Sequence, residues 1–258
     1  MRAHTTQTHL LPLDSAPTIR RADLAEPFEW LAAGIRSFAA APAGSLLYGT
    51  LFALACWLTL TLTWTLPWFA LAFLTGLMLL GPFLAAGLYV AARQQDAGEP
   101  ISIRGSFVLL WERRTNLSLF VLFLSLIAAA WVRLSALLFA IQFTTLSPST
   151  NDYLGLLSGR FDPVVTSFFV GIGLLLAGTV FVTSAVAIPM ILDRDVGPIA
   201  AMQTSYRTVL LNWPTMLLWA ALIVMLCGIG LLTVFIGMIP LFPILGYATW
   251  HSYRRMVA

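Results

Sequence analysis

The chain is 258 residues long, 59% hydrophobic and 10% charged, with a mean hydropathy of +0.88. Soluble domains carry about a quarter charged residues, so this composition excludes a water-soluble globular protein. The formal charge of +3 comes from arginines and acids with no lysine at all, a usage that fits a GC-rich bacterium, and no nucleic-acid partner is expected.

The first 45 residues hold no apolar stretch ahead of a small-residue cleavage site, so no signal peptide is read and insertion falls to the first crossing. Residues 1–22 read as a flexible cytoplasmic tail and 23–258 as one membrane domain. Between Arg36 and Arg93 the chain runs 56 residues without a charge, and between Arg207 and Arg254 it runs 46. A helix of about 20 apolar residues spans the hydrocarbon layer, so each run holds two crossings. The first run breaks at Trp64-Thr-Leu-Pro67-Trp68, where proline interrupts the helical ladder and tryptophan favours the headgroup level. That places crossings at 45–66 and 68–92. A third covers 117–140 and a fourth 164–192. The last run divides around Gly237-Met-Ile-Pro240 into 213–235 and 239–253.

The arginines orient these six helices. Arg2, Arg20, Arg21 and Arg36 precede the first. Arg93, Arg104, Arg113 and Arg114 follow the second, Arg194 and Arg207 the fourth, and Arg254 and Arg255 the sixth. All twelve fall on one side, against Arg160 alone on the other. The positive-inside rule then puts both termini in the cytoplasm of a bacterial inner membrane. Each cytoplasmic segment also carries an amphipathic stretch. Asp23-Leu-Ala-Glu26 has capping-box spacing ahead of Phe28, Leu31, Ile35 and Phe38. Ile103, Phe107, Leu110 and Trp111 form a second stripe, and Ile199, Met202, Tyr206, Val209 and Leu210 a third. Each stretch holds a serine–aromatic pair (Ser37-Phe38, Ser106-Phe107, Ser205-Tyr206), as if one unit, an in-plane helix and a helical hairpin, occurred three times. The expected fold class is therefore all-α and polytopic, with six transmembrane helices and in-plane helices on the cytoplasmic side, where arginines meet anionic lipid.

Few residues suggest chemistry. Arg133 lies about 24 Å along the third helix from Leu117. An ionisable residue within a membrane is a functional candidate; the competing reading ends the helix near Trp131-Val-Arg133, lets the guanidinium reach the outer headgroups, and lays 134–143 along the outer surface. Asp193-Arg194-Asp195 could hold a cation or pair with Arg207, against the alternative of a solvated loop. In Trp250-His-Ser-Tyr253-Arg254, the Trp, His251, Tyr and Arg254 should anchor the helix end at the cytoplasmic headgroups. Ser102 reads as a helix cap. Gly171, Gly173 and Gly178 sit in an apolar run with no strand before them, so helix–helix contact explains them better than a nucleotide loop, and Gly76, Gly81 and Gly87 read the same way. Gly81-Pro82 marks a kink. Cys56 and Cys227 lie in apolar runs and imply no disulfide. Only three histidines exist, His4, His9 and His251, which excludes a haem-copper oxidase core. No catalytic, cofactor or metal motif is read, and no cofactor is expected.

Three segments carry a resemblance. Gly81-Pro-Phe-Leu-Ala-Ala-Gly-Leu-Tyr89 runs into Ala92-Arg93 and Gly98. Ile188-Pro-Met-Ile-Leu-Asp-Arg-Asp195 precedes Ala200, Ser205 and Asn212. The end reads Pro243-Ile-Leu-Gly-Tyr-Ala-Thr-Trp-His-Ser-Tyr-Arg254. From about Trp30 onward the chain resembles the uncharacterised bacterial integral-membrane family known as domain of unknown function 2189, with Tyr247 where the family pattern has histidine. The resemblance implies an inner-membrane protein of unknown activity and supplies no catalytic residues. The function expected is a non-enzymatic structural or accessory component that packs with membrane lipid, another membrane protein or further copies of itself. A small-solute transporter or channel is the alternative, and an enzyme acting on lipid head groups comes third.

Overall fold

The computed structural model describes residues 17–63, 67–142 and 163–258. The expected turn at Trp64, the outer loop at 146–162, His4, His9 and Arg160 lie outside the described residues. Among those described every regular element is helical, and the one extended pairing is an isolated antiparallel bridge between Ile19 and Val257. Of the segment 1–22 read as a tail, residues 17–22 lie against the C-terminus: Arg20 N–H donates to Met256 O at 2.9 Å and Ala258 N–H to Thr18 O at 3.0 Å.

The order of elements runs through one sequence three times. An amphipathic helix is joined by a single residue to a long apolar helix, which a proline-containing helical segment follows. Helix α1 (Glu26–Ala40) passes through Ala41 to α2 (Pro42–Leu62), followed by α3 (Pro67–Leu79), α4 (Gly81–Leu84) and α5 (Ala86–Asp96). Helix α6 (Ile103–Glu112) passes through Arg113 to α7 (Arg114–Gln142), followed by α8 (Pro163–Ser184) and α9 (Ala187–Arg194). Helix α10 (Pro198–Leu211) passes through Asn212 to α11 (Trp213–Leu232), followed by α12 (Met238–Met256). Local chemistry sets several boundaries. Proline opens α2 and α10, where its missing N–H has no partner to lose. Ser102 caps α6 as expected, its hydroxyl accepting Gly105 N–H at 3.0 Å.

Four stretches are long and apolar enough to cross a membrane: Pro42–Leu62, Arg114–Leu138, Ser167–Arg194 and Trp213–Leu232. The expected crossing at 68–92 is divided into α3, α4 and α5 around Gly81-Pro82. The one expected at 239–253 corresponds to α12, which ends in Arg254 and Arg255 and holds Pro243 inside. Helix α7 continues without a break to Gln142. That corrects the reading in which the third helix ends near Arg133 and 134–143 turns along the surface.

Proline also divides α8 from α9. Pro189 has no N–H for the carbonyl of Ala185, and its ring crowds that turn. The loosened backbone is repaired from another helix: Ser205 of α10 donates its hydroxyl to Val182 O at 2.8 Å and accepts Val186 N–H at 3.4 Å. Side-chain repair of this kind lets a broken helix persist in lipid.

Helix α12 is the axis of the fold, with α1, α2, α5 and α11 all packed on it. Phe242 stacks on Phe52 of α2 at 3.9 Å. Gly49 of α2 lies so close to the Ile239 carbonyl that a Cβ there would overlap it, and Gly87 of α5 leaves room for the Tyr48 hydroxyl. Gly87 therefore has the close-packing role read from sequence, and Gly173 faces Trp131, whereas Gly81, Gly171 and Gly178 face open space. The amphipathic helices turn an unexpected face inward. Ser37, Ser106 and Ser205 are buried, as are Thr204 and Thr208, while Phe107, Tyr206, Phe28, Ile35 and Ile199 are exposed. Much of each apolar stripe points outward, and small and polar residues make much of the contact with the bundle, joined by Trp30 and Val209.

Candidate functional site

The C-terminal ends of α5, α9 and α12 converge, and each delivers charge immediately after an apolar stretch. Arg93 and Asp96 come from α5, Asp193 and Arg194 from α9, and Arg254 and Arg255 from α12. Asp193 is the centre. Its Oδ1 accepts Arg93 Nε at 3.2 Å, and its Oδ2 accepts the Tyr253 hydroxyl at 2.8 Å and Arg254 Nη1 at 3.4 Å. One carboxylate from α9 thereby holds α5 and α12 together.

Tyr253 carries the network onward. While donating to Asp193, its hydroxyl accepts Arg194 Nε at 3.0 Å. The other Arg194 nitrogens donate to the carbonyls of Ala258 at 3.0 Å and Val257 at 2.9 Å. One guanidinium thus fastens the end of the chain, which itself pairs with Thr18 and Arg20. Asp96 accepts the Trp250 indole N–H at 2.8 Å and lies 3.8 Å from Arg254 Nε. His251 Nε2 meets the Ser37 hydroxyl at 2.9 Å, and Gln95 donates to Ser37 O at 3.0 Å. Arg255 reaches Glu29 at 3.3 Å and Glu26 at 3.8 Å on α1.

Asp195 lies just past α9 in a left-handed conformation, φ 54°. It pairs with Arg113, the residue linking α6 to α7, and accepts Asn116 Nδ2 at 3.5 Å. Arg207, which the sequence offered as one possible partner, is not used; it is exposed on α10. The two acids thus serve different hairpins, Asp193 binding α5 and α12 and Asp195 binding the α6–α7 link. Among the described residues no group of histidine, cysteine, aspartate or glutamate is placed to hold a metal ion.

Of the residues singled out from sequence, Asp193 and Arg254 meet directly, while His251 and Asp195 flank them. Arg133 stands apart. It is exposed on α7, with no ion pair among the described residues. Thr179 and Thr183 of α8 turn their hydroxyls back onto their own helix, donating to Leu175 O at 2.8 Å and Thr179 O at 2.7 Å. Trp250 and Tyr253 correct the anchoring expectation, because both are buried, at 1% and 0% exposure, and bond inward rather than toward headgroups. Sequence reading passed over Arg93, Asp96, Arg194 and Tyr253 as a group. The available signal was charge at one recurring position, after the last apolar turn of α5, α9 and α12, with acids on the first two and arginines on all three.

The comparisons with known proteins fit this architecture. Residues 69–193 match the model of the family DUF2189, described as a predicted integral membrane protein. The protein is an integral membrane protein with several apolar helices. The match takes in α3 to α9 and ends on Asp193, so the closing Ala248-Thr-Trp-His-Ser-Tyr-Arg254 motif lies beyond it, as does the resemblance read from Trp30 to 68. No curated protein and no solved structure matches the chain.

Proposed function

We propose that the protein is a non-enzymatic structural or accessory component of a bacterial cytoplasmic membrane, packing against lipid and another membrane protein. The observation that carries this reading is the closure of the polar cluster. Asp193 bonds Arg93, Tyr253 and Arg254, Tyr253 is fully buried, and Asp96, Asp195, Glu26 and Glu29 are each within 4 Å of an arginine. Such a cluster clamps helices, with each of these acids held by an arginine. The outward faces of α1, α6 and α10, with the first residue of α7, supply the contact surface, where exposed Ile35, Phe107, Trp111, Tyr206 and Leu210 alternate with exposed Arg36, Arg104, Arg114 and Arg207. That pairing of apolar and cationic side chains suits the headgroup layer of an anionic leaflet.

Six membrane-embedded segments with both termini cytoplasmic are part of this proposal. It is supported by the Ile19–Val257 bridge, which places the two described ends on one face, and by the meeting of Arg93, Arg194, Arg254 and Arg255 on that same face. A transporter remains the second reading, favoured by the kinks at Gly81-Pro82 and Pro189, since transporters break helices beside their sites. Here the kink regions are filled, with Ala85, Leu88, Val186 and Ile188 all buried. The test is purification from the native membrane in mild detergent with mass spectrometry of co-purifying species. A stoichiometric membrane-protein partner or retained anionic phospholipid is expected. A lone, lipid-free protein whose melting temperature rises with a small solute would replace this reading with transport.

A further inference from the structure

We infer that the α11–α12 hairpin does not reach water on the far side of the bilayer, and that its tip, Leu232 to Ile236, is seated among lipid acyl chains. Three independent features point there. The first is side-chain chemistry. Leu232 is 86% exposed and Ile236 69%, with Val234 exposed between them. From Met225 to Thr249 the chain has no charged residue, and the tip has no tryptophan or tyrosine of its own to mark a headgroup level.

The second feature is the backbone. Seven successive amides around the turn are satisfied within the chain. Thr233 N–H donates to Ile229 O at 3.1 Å, Val234 to Leu231 O at 2.9 Å, Phe235 to Gly230 O at 3.0 Å and Ile236 to Thr233 O at 3.2 Å. Gly237 N–H donates to the Thr233 hydroxyl at 2.8 Å, Met238 to Phe235 O at 3.0 Å and Ile239 to Ile236 O at 3.1 Å. Val234 O in turn accepts the Trp57 indole N–H at 3.3 Å. This closure holds Val234 and Phe235 in the left-handed region, φ 53° and 66°, which a β-branched or bulky residue rarely adopts. A turn in water has no need of such strain, because water would take the amides. In hydrocarbon each must be bonded internally.

The third feature is depth. Arg254 belongs to the ionic cluster, which must lie at or outside the hydrocarbon boundary. From Met238 to Arg254 the helix rises only about 24 Å, against a layer of about 30 Å. Helix α11 agrees. Its first turn is occupied with the N-terminal segment, Thr215 donating to Ala22 O at 3.1 Å, and from Met216 to Leu232 it also rises about 24 Å. The Trp57 bond sets the tip level with Trp57, and α2 continues about 8 Å beyond that point to Leu62.

The test uses the full chain in a Cys56→Ser, Cys227→Ser background, with Ile236→Cys carrying the fluorophore NBD, in dioleoylphosphatidylcholine vesicles. Phosphatidylcholine spin-labelled at acyl carbon 12 should quench the probe at least twofold more than the lipid labelled at carbon 5, and aqueous iodide should not quench it. A probe at Leu62→Cys should show the opposite order of the two lipids. Quenching of the Ile236 probe by iodide, or a preference for carbon 5, would overturn the inference. So would protection from both lipids, which would mean that a second copy or another protein covers the tip. If the Ile236 adduct does not fold, the probe at Leu232→Cys reads the same depth with the same outcomes.

Discussion

The Tyr253 hydroxyl donates to Asp193 at 2.8 Å, joining the last turn of α12 to the last turn of α9 across 60 residues of sequence. The same oxygen accepts Arg194 Nε at 3.0 Å, so one buried phenol serves as donor and acceptor between two residues of opposite charge. Removing the hydroxyl takes one bond from each partner, whereas removing the negative charge weakens the hold on two arginines as well.

The two losses should differ in size. Tyr253→Phe is expected to cost about 1–2 kcal/mol, the range for leaving a buried partner unsatisfied. Asp193→Asn keeps the shape but removes the counter-charge that Arg93 and Arg254 share. It should cost somewhat more, about 2–3 kcal/mol, because the charge-assisted hydrogen bonds to a mostly buried carboxylate are lost, while the half-exposed arginines are partly solvated by water. Unfolding in mixed detergent micelles, followed by tryptophan fluorescence, measures both. Equal stability of Asp193→Asn and the parent would show that the cluster is not a clamp.

Ser205→Ala probes the repair of the α8–α9 break. The hydroxyl satisfies both Val182 O and Val186 N–H, and alanine satisfies neither. A loss of about 1 kcal/mol is expected, in line with interhelical hydrogen bonds in membranes. Ser205→Thr keeps the hydroxyl but adds a methyl to a fully buried position. Amide hydrogen exchange at Val186 should quicken in Ser205→Ala and stay slow elsewhere in α8; unchanged exchange at that amide would rule out the repair role.

Glycine positions give a sharper contrast. Gly49→Leu should abolish folded protein, because a Cβ at Gly49 already overlaps the Ile239 carbonyl and backbone cannot yield as a side chain can. Gly171→Leu, with nothing within 4 Å of its added Cβ, should express at the parent level. Gel filtration of the two variants in mild detergent decides this, and equal monodisperse yield would refute the close α2–α12 contact.

Much of this was legible in the chain itself, for reasons that differ from one element to another. Charge-free runs fixed where the long helices lie to within a few residues, because lipid punishes buried charge far more than water rewards any particular ending. The kinks at Gly81-Pro82 and Pro189 were equally plain, since proline acts locally. The outward turn of Phe107 and Tyr206 was not, because one apolar stripe suits either a core or a lipid surface. The Asp193 network was legible only as a set of charges. Which arginine meets which aspartate depends on how three helix ends converge: the chain order offers Arg207 as one candidate among others, and the fold uses Arg93, Arg113 and Arg254. Gly49 and Gly34 escaped for the same reason, as their contacts are with residues some two hundred positions away.

Labelling from outside tests the proposed sidedness. In a Cys56→Ser, Cys227→Ser background, an Asn151→Cys variant should react with an impermeant thiol reagent in intact spheroplasts. An Arg207→Cys variant should react only after permeabilisation, because Arg207 is exposed on α10, on the side where Arg93, Arg194 and Arg254 gather. Labelling of Arg207→Cys in intact cells would invert the orientation.

Arg133 and Trp131 lie two residues apart on α7 and should behave in opposite ways. From Arg114 to Arg133 the helix rises about 28 Å, close to one hydrocarbon thickness, so the guanidinium emerges near the far boundary, where headgroups and water solvate it. It is exposed and takes no ion pair among the described residues. Arg133→Lys and Arg133→Gln should therefore each change stability by no more than about 0.5 kcal/mol, as surface substitutions do. Trp131 is buried, donates its indole N–H to the Thr75 hydroxyl at 2.6 Å and packs on Phe169 at 5.0 Å. Trp131→Phe loses that bond and part of the contact with α3 and α8, and should cost about 2 kcal/mol. The same detergent unfolding assay compares the three variants. If Arg133→Gln proved the more damaging, the guanidinium would have a buried acceptor after all, and a transport role built around it would gain the support that this exposed position now denies it.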